Sequence, residues 1–260
     1  HPYISTGMKE HKFGISIGRA IENYRLTSKL KNIKVVGVQK HIGSQITELS
    51  PFVDAMKRIL ALVDELKGRG FDIRYLDIGG GLGIPYLDET PPAPRDLAAK
   101  LLPLVNGRKI TLIMEPGRSI VGNAGILVAR TLYLKKGEGK DFVIVDAGMN
   151  DLMRPSLYDA YHHIQPVVKQ RRASITADIV GPICESGDFL ARGRRIENVK
   201  KGEYLAVMSA GAYGMSMSSN YNSRPTIAEV MVKGSKHSLI RKRGSYDGLV
   251  ENEVMPGFLK

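Results

Sequence analysis

The 260-residue sequence has one cysteine, no tryptophan and no long apolar run. Because Cys184 has no partner cysteine in the sequence, an internal disulfide framework is excluded, and a single thiol is typical of a reducing compartment. No stretch approaches the roughly 18 consecutive apolar residues of a membrane span, and the first residues lack a basic segment followed by an apolar core. We therefore expect a soluble, untargeted protein of the cytoplasm with no membrane partner.

Positive side chains outnumber negative ones, with 38 Lys plus Arg against 26 Asp plus Glu and a formal net charge of +12. A basic surface attracts phosphate groups non-specifically, so nucleic-acid binding is one interpretation of this excess. The basic clusters are scattered along the chain, however, lack interleaved aromatic residues and match no nucleic-acid-binding motif. We interpret the charge as a solvated basic surface and expect no nucleic-acid partner.

The first half of the chain alternates strands and helices, as βαβ units around a parallel sheet do. Apolar runs predict strands at Val35–Val38, Phe71–Ile78 and Ile110–Met114, and apolar spacing predicts helices from Ser50 and at about Asp96–Leu104. Each strand is followed by a polar or glycine-rich string: HIGSQ, GGGLG or EPGR. In a (β/α)8 barrel this edge carries the active site.

After about Asn123 the sequence changes to short β-branched runs separated by glycine, which predicts a separate, mostly antiparallel β domain. The predicted strands are Ile126–Tyr133, Phe142–Val145, Ile175–Val180, Tyr204–Met208 and Ala228–Val232. One helical insertion, at about Met153–His162, places Arg154 and Tyr158 on the same face. The predicted fold class is α/β followed by all-β, with the boundary between residues 1–124 and 125–260.

The polar strings have functional and structural interpretations. The glycine run Gly79–Gly83 allows backbone N–H groups to approach a phosphate, but a tight turn needs the same glycines. Glu115 and Arg118 form either part of a site or a surface salt bridge, and His41 either stacks on a flat cofactor or has a structural role. Around Cys184 the sequence CESGD favours a polar site, because unpaired charges are rarely buried.

Together the strings resemble one family, the pyridoxal-phosphate-dependent diaminopimelate decarboxylases of the alanine-racemase-like fold type. The resemblance covers nearly the whole chain in the same order. It rests on the following segments: HPYISTG and KFG near the start, HIGSQ from His41, Gly79–Gly83, EPGR from Glu115, DAGMNDLMRPSLYDAYH from Asp146, GPICESGD from Gly181 and GAYGMSMSSNYNSRP from Gly211.

The resemblance implies that residues 1–124 are the C-terminal portion of a (β/α)8 barrel that binds pyridoxal 5′-phosphate, and that residues 125–260 form a β-barrel or β-sandwich domain. It implies no metal, and a homodimer in which two chains share each active site. His41 would stack on the pyridine ring, and Glu115 would pair with the ring nitrogen and keep it protonated. The remaining cofactor contacts would come from Ser44, Gly81, Gly117, Arg118 and Tyr213.

The implied reaction is the decarboxylation of meso-2,6-diaminopimelate to L-lysine and CO2. Arg118, Arg154 and Tyr158, together with Tyr213, would bind the substrate, since guanidinium groups suit a distal carboxylate. The partner chain would contribute Cys184 as the proton donor and Glu185 for the distal ammonium group. Related ornithine-type enzymes have aspartate after the cysteine. The Cys-Glu pair therefore favours a substrate with both an amino group and a carboxylate at its far end.

One feature of the family has no counterpart in this sequence. The lysine that carries the cofactor as a Schiff base lies in a string like YAxKAN on an early strand, and no such string is present. The sequence also supplies about three βα units where a barrel needs eight. We therefore expect a fragment that is inactive alone. The alternatives are a decarboxylase of ornithine, arginine or carboxynorspermidine, or a non-catalytic binding chain that has lost the lysine.

Overall fold

The computed structural model describes residues 12–259, and the chain divides into two compact units, residues 1–122 and 123–260. The HPYISTG string lies outside the described residues. The sequence predicted the boundary between residues 124 and 125. None of the helices within the described range has both the length and the apolar character needed to cross a lipid bilayer.

Unit 1 is a parallel α/β layer. Its three short strands follow the order β1-β2-β3 and are all parallel, with Val38 paired to Leu76 and Leu76 to Leu112. The helices pack on the sheet around a core that includes Leu66, Leu76 and Leu101. The elements are α1 (Ile17–Thr27), β1 (Gly37–Gln39), α2 (Ser50–Gly68), β2 (Tyr75–Asp77), α3 (Pro94–Val105), β3 (Thr111–Ile113) and α4 (Arg118–Val121).

Local sequence explains where the two long helices begin. In α2, Pro51 occupies the first turn, where its missing N–H costs no hydrogen bond, and Met56 and Val63 are buried on the core face. In α3, the Asp96 carboxylate accepts the Ala93 N–H at 2.9 Å and so caps the first turn. Strand β2 is shorter than the predicted Phe71–Ile78, because the first part of that segment forms a turn after α2, with the Phe71 N–H bonded to the Leu66 carbonyl.

Unit 2 is built on a six-stranded sheet with the order β6-β9-β4-β5-β7-β8. Every adjacent pair is antiparallel except β5 and β7. A separate two-stranded hairpin, β10-β11, follows. The elements are β4 (Leu127–Lys136), β5 (Asp141–Val145), α5 (Arg154–Tyr158), β6 (Ile164–Pro166), β7 (Ser174–Val180), β8 (Phe189–Glu197), β9 (Tyr204–Val207), β10 (Glu229–Lys233), β11 (Lys236–Arg241) and α6 (Tyr246–Val250).

The sheet of unit 2 curls until its two edges approach each other. Arg194 of edge strand β8 donates a hydrogen bond of 2.7 Å to the carbonyl of His162, which lies just before the other edge strand, β6. The inner face carries a core that includes Val143, Ile179 and Leu205. Unit 1 and unit 2 thus have the coarse classes predicted from the sequence, α/β and mainly antiparallel β.

The predictions for unit 2 need correction at one helix and at three strands, since β6, β8 and β11 were not predicted. The helix expected at about Met153–His162 ends at Tyr158, because Asp159 adopts a left-handed conformation with φ of 51° and stops the helix. His162 therefore lies outside the helix. Strand β8 was not predicted, because its arginines conceal the buried residues Phe189 and Ile196 at its two ends.

Candidate active site

The polar strings of unit 1 meet at one edge of its sheet. Because β1, β2 and β3 are parallel, HIGSQ, GGGLG and EPGR all leave the sheet at the carboxyl ends of the strands. The Gly80 N–H donates to Nδ1 of His41 at 3.3 Å, and the Glu115 N–H donates to the Gly79 carbonyl at 2.9 Å. Six of the residues predicted for the cofactor lie in these strings: His41, Ser44, Gly81, Glu115, Gly117 and Arg118.

The hydrogen bond to His41 assigns the position of its proton. Since Nδ1 accepts the Gly80 N–H, the proton of the neutral ring lies on Nε2. A Cβ atom on Gly79 would lie 2.7 Å from Nδ1 of His41, so the absence of a side chain there allows the imidazole to sit against the glycine run. The ring is therefore held beside the strand ends, where it is half-buried.

The glycines of this edge fall into two groups. At Gly80 and Gly81, a Cβ atom would lie 2.3 Å from the Glu115 carbonyl oxygen and 2.4 Å from the Gly43 carbonyl oxygen, so close backbone packing requires glycine at both positions. Beside Gly117, in contrast, the space is open. Within residues 12–259, no protein acceptor receives the N–H of Gly81 or of Gly117. N–H groups that donate to no protein acceptor suit a phosphate.

Arg118 is buried, with a relative exposure of 6%. Its Nη2 donates to the Ser44 hydroxyl at 3.0 Å and its Nη1 to the Tyr86 hydroxyl, and the guanidinium carbon lies 5.7 Å from the centre of the Tyr86 ring. This burial argues against the alternative of a surface salt bridge. The Glu115 side chain is exposed at the same edge.

Two residues that support this edge were missed by the sequence analysis. Tyr86 was not assigned a role, although it lies close after the glycine run in the sequence. Gln45 belongs to the HIGSQ string; its side chain donates to the Ile84 carbonyl at 2.6 Å and accepts the Ile84 N–H at 3.2 Å. The amide of Gln45 thus makes the two main-chain hydrogen bonds that a neighbouring strand would make. It connects HIGSQ to the residue that follows GGGLG. The backbone of Gln45 has a positive φ of 57°, which marks an unusual position. The sequence alone does not show this angle.

Lys40 lies next to His41 but has a different environment. Its Nζ is buried and has no hydrogen-bond partner among the residues that the structure describes. Burial lowers the pKa of this amine to about 8, because a charged ammonium loses its hydration there. The sequence context of Lys40 does not match the Schiff-base lysine of the family.

In unit 2, the predicted substrate residues Arg154 and Tyr158 lie at the two ends of α5, and Arg154 is buried. Nη1 of Arg154 lies 2.8 Å from Nε2 of His162, and Nδ1 of His162 lies 2.9 Å from the Met208 carbonyl oxygen. His162 had been included in a matching string without a role of its own. The structure places it as the direct contact of Arg154.

Cys184 and Glu185 lie in an exposed loop between β7 and β8. The Cys184 N–H donates to the side-chain oxygen of Asn222 at 2.9 Å, and the Tyr221 hydroxyl donates to Glu185 at 2.7 Å. The hydrogen bond to Glu185 raises the pKa of Tyr221 above its usual range. Two strings that are far apart in sequence, CESGD and SNYNS, therefore meet here. Tyr213 precedes Tyr221 in the chain and has a left-handed φ of 60°.

Asp188, at the end of CESGD, holds this loop through hydrogen bonds to its carboxylate. It is buried, and its two carboxylate oxygens accept the N–H groups of Met149 and Ile183, both at 2.7 Å. Burial raises the pKa of this carboxyl, although the two N–H donors act in the opposite direction. The loop that carries Cys184 is thus tied to the turn that follows β5, a relationship that the sequence analysis did not detect.

The fold and the edge of unit 1 are those of a cofactor-binding α/β domain, and comparison with known proteins defines its class. Residues 1–122 match the family model "Pyridoxal-dependent decarboxylase, pyridoxal binding domain". This part of the chain is therefore similar to the pyridoxal-binding domain of the pyridoxal-dependent decarboxylases. The match confirms the cofactor predicted from the sequence, pyridoxal 5′-phosphate.

Within that class the chain is similar to diaminopimelate decarboxylases. It is 57% identical to the enzyme of Aquifex aeolicus, over 96% of this chain and 60% of the relative, and 52% identical to that of Neisseria meningitidis, over 98% and 62%. A crystal structure of diaminopimelate decarboxylase from Helicobacter pylori, complexed with L-lysine, matches with a TM-score of 0.91 and 41% identity, over 96% of this chain and 62% of that chain. The chain is a homologue of these enzymes and, by the first of these comparisons, spans about 60% of their length.

Proposed function

We propose that the protein to which this chain belongs converts meso-2,6-diaminopimelate to L-lysine and CO2, the reaction expected from the sequence. The observation that carries the proposal is the edge of unit 1, where the three strand ends meet beside the buried Arg118. Within residues 12–259, no protein acceptor receives the N–H groups of Gly81 and Gly117 at this edge. Such an edge suits a phosphorylated cofactor. The relatives named above, which share the surrounding sequence, are diaminopimelate decarboxylases.

The residues of unit 1 fit pyridoxal phosphate. The N–H groups of Gly81 and Gly117 and the Ser44 hydroxyl would hold the phosphate, the face of His41 would cover the pyridine ring, and the exposed Glu115 carboxylate would pair with the ring nitrogen. When bound, the cofactor supplies an electron sink for the electron pair that remains when CO2 departs. A carboxylate beside the ring nitrogen strengthens this property, since it favours the protonated nitrogen.

The substrate carries an amino group and a carboxylate at each end. At the reacting end, the bond between the α-carbon and the carboxylate breaks, CO2 leaves, and the Cys184 thiol donates the proton that forms the new C–H bond. At the distal end, Arg118, Arg154 and Tyr158 would bind the remaining carboxylate and Glu185 would bind the ammonium group. The arginines suit a planar carboxylate because they donate two parallel hydrogen bonds.

The complete protein is proposed to be a homodimer with a full (β/α)8 barrel. Residues 1–124 would be the C-terminal portion of that barrel, and residues 125–260 the β domain. The partner chain would contribute Cys184 and Glu185, and Tyr213 would reach both the phosphate and the substrate. The Schiff-base lysine would lie in the part of the protein that this chain lacks, so the chain alone would be inactive.

The proposal is tested by measuring CO2 release from meso-diaminopimelate, ornithine, arginine and carboxynorspermidine by the complete enzyme. We expect meso-diaminopimelate to have the highest kcat/KM. A higher value for any of the others, with cofactor bound, would refute the proposed substrate. The 260-residue chain assayed alone should release no CO2, and activity equal to that of the complete enzyme would refute the assignment of the lysine to the missing part.

A further inference from the structure

His162 is a fully buried histidine in unit 2, with a relative exposure of 0%. Both of its ring nitrogens are engaged: Nε2 lies 2.8 Å from Nη1 of Arg154, and Nδ1 lies 2.9 Å from the carbonyl oxygen of Met208. Arg154 is itself buried, with an exposure of 6%. The imidazole therefore connects a buried guanidinium to the main chain that follows β9.

These two partners permit one protonation state. A carbonyl oxygen only accepts, so Nδ1 must carry a proton and donate it to Met208. A guanidinium only donates, so Nε2 must be without a proton and accept from Arg154. His162 is thus neutral, with its proton on Nδ1. In this form each nitrogen is satisfied, which matters because an unsatisfied polar group in the interior costs about 1–3 kcal/mol.

Hydrogen bonds hold the main chain at His162. Its carbonyl accepts a hydrogen bond of 2.7 Å from Arg194 of β8, and the Arg194 guanidinium carbon lies 3.9 Å from the centre of the Tyr161 ring. The next residue, His163, accepts the Met208 N–H at 2.8 Å through its carbonyl. The main chain at His162 is therefore held by both β8 and the segment after β9.

Arg154, in contrast, begins a helix of five residues. A helix this short has little stability of its own, so the direction of a side chain at its first position depends on tertiary contacts. The hydrogen bond to His162 fixes one nitrogen of the Arg154 guanidinium against the sheet. Its remaining N–H groups then have a defined direction before any ligand binds, which lowers the ordering cost of binding.

We propose that His162 is a positioning residue that orients the Arg154 guanidinium for a carboxylate at the far end of the substrate, and so contributes to selection of ligands that carry this group. The inference deepens the proposed function, because it rests on the assignment of Arg154 to the distal carboxylate. His162 acts through Arg154 and does not touch the reacting atoms.

The test compares two ligands that differ by a single carboxylate. L-Lysine retains the distal carboxylate of meso-diaminopimelate, and cadaverine lacks it. Inhibition constants for both are measured with the complete holoenzyme and with His162→Gln and His162→Asn. The matched control is His163→Gln, since His163 is the adjacent histidine and its side chain is exposed.

We expect the His162 variants to bind L-lysine about tenfold more weakly. This change corresponds to a loss of about 1.4 kcal/mol of binding free energy. Binding of cadaverine should be unchanged, and KM for meso-diaminopimelate should rise more than kcat falls. The His163→Gln variant should behave as the wild type. Equal weakening of both ligands, or of neither, would overturn the inference.

Arg154→Gln separates the inference from the function on which it rests. If Arg154→Gln leaves the ratio of the two inhibition constants unchanged, the role of Arg154 in the proposed function is wrong. If that ratio changes with Arg154→Gln but not with the His162 variants, only the inference about His162 is wrong.

A second measurement needs no variant and so does not depend on folding of a mutant. The 15N chemical shifts of the His162 ring in the wild-type holoenzyme report which nitrogen carries the proton. We expect a proton on Nδ1 and none on Nε2. A proton on Nε2 would exclude acceptance from Arg154 and overturn the inference.

Discussion

The Tyr86 hydroxyl accepts a hydrogen bond from Nη1 of Arg118, and the ring of the same tyrosine lies 5.7 Å from the guanidinium carbon. Both side chains are buried. Tyr86 thus meets the guanidinium with a hydroxyl and an aromatic ring, and Ser44 supplies a second hydroxyl on the other nitrogen. This arrangement holds a buried arginine at the strand ends, where the proposed site needs a cation.

The first prediction concerns this contact. Tyr86→Phe keeps the ring but removes the acceptor, and a buried charged donor that loses its partner should lower the free energy of unfolding by about 1–3 kcal/mol. The measurement is urea denaturation of the complete apoenzyme. Tyr75→Phe is a matched control, because Tyr75 also lies 5.7 Å from an arginine, Arg74, but is 37% exposed. An equal effect of the two substitutions would show that the hydroxyl of Tyr86 contributes nothing specific.

The second prediction concerns the proposed proton donor. Cys184→Ala in the complete enzyme should lower turnover by about 10²–10⁴-fold, the usual contribution of a general acid. Affinity for pyridoxal phosphate, measured by titration of cofactor absorbance, should stay the same, since Cys184 is assigned no cofactor contact. If cofactor affinity falls as much as turnover, Cys184 has a structural role.

The third prediction concerns the choice of substrate. Glu185→Asp shortens the side chain that Tyr221 contacts and withdraws its carboxylate from the distal ammonium group. The ratio of kcat/KM for meso-diaminopimelate to that for ornithine should therefore fall. Glu138→Asp, at an exposed position between β4 and β5, is the control. An unchanged ratio in Glu185→Asp would remove the role proposed for Glu185.

The fourth prediction concerns acid stability. Arg172 donates two hydrogen bonds of 2.6 Å to the Glu203 carboxylate, and the Lys200 N–H donates a third at 2.8 Å. The side-chain hydrogen bond from Arg172 is the main cause that lowers the pKa of Glu203 from 4.5 to about 2. Because the folded state binds this proton more weakly than the unfolded state, the stabilisation is present above pH 4.5 and is lost as the pH falls towards 2.

This dependence is measured as the Tm of the complete enzyme between pH 5 and pH 3. Glu203→Gln should lower Tm at pH 5 and make it less sensitive to acid, since the titrating group is gone. Glu253→Gln, at an exposed position, should leave the profile unchanged. An identical acid profile in wild type and Glu203→Gln would show that the Arg172 pair does not couple to folding.

Local pattern predicted the parts of the fold that depend on nearby residues. The three parallel strands were found because each is an apolar run that ends in polar residues, although β2 begins only at Tyr75. Strand β8 was missed because arginines lie between its apolar ends. Helix α5 was predicted too long because Asp159 gives no clear sequence signal for a left-handed conformation. Burial of a charged strand depends on which strands pair with it.

The sequence by itself determined the class of the protein. The order of its polar strings along the chain carried the resemblance to the family, and that resemblance implied the cofactor. The strings could be located because they follow predictable strands. Only the tertiary structure decided how the side chains support one another: Tyr86 with Arg118, His162 with Arg154, and Asp188 with Met149. The physical reason is that a hydrogen bond requires correct distance and direction, and packing of elements sets both.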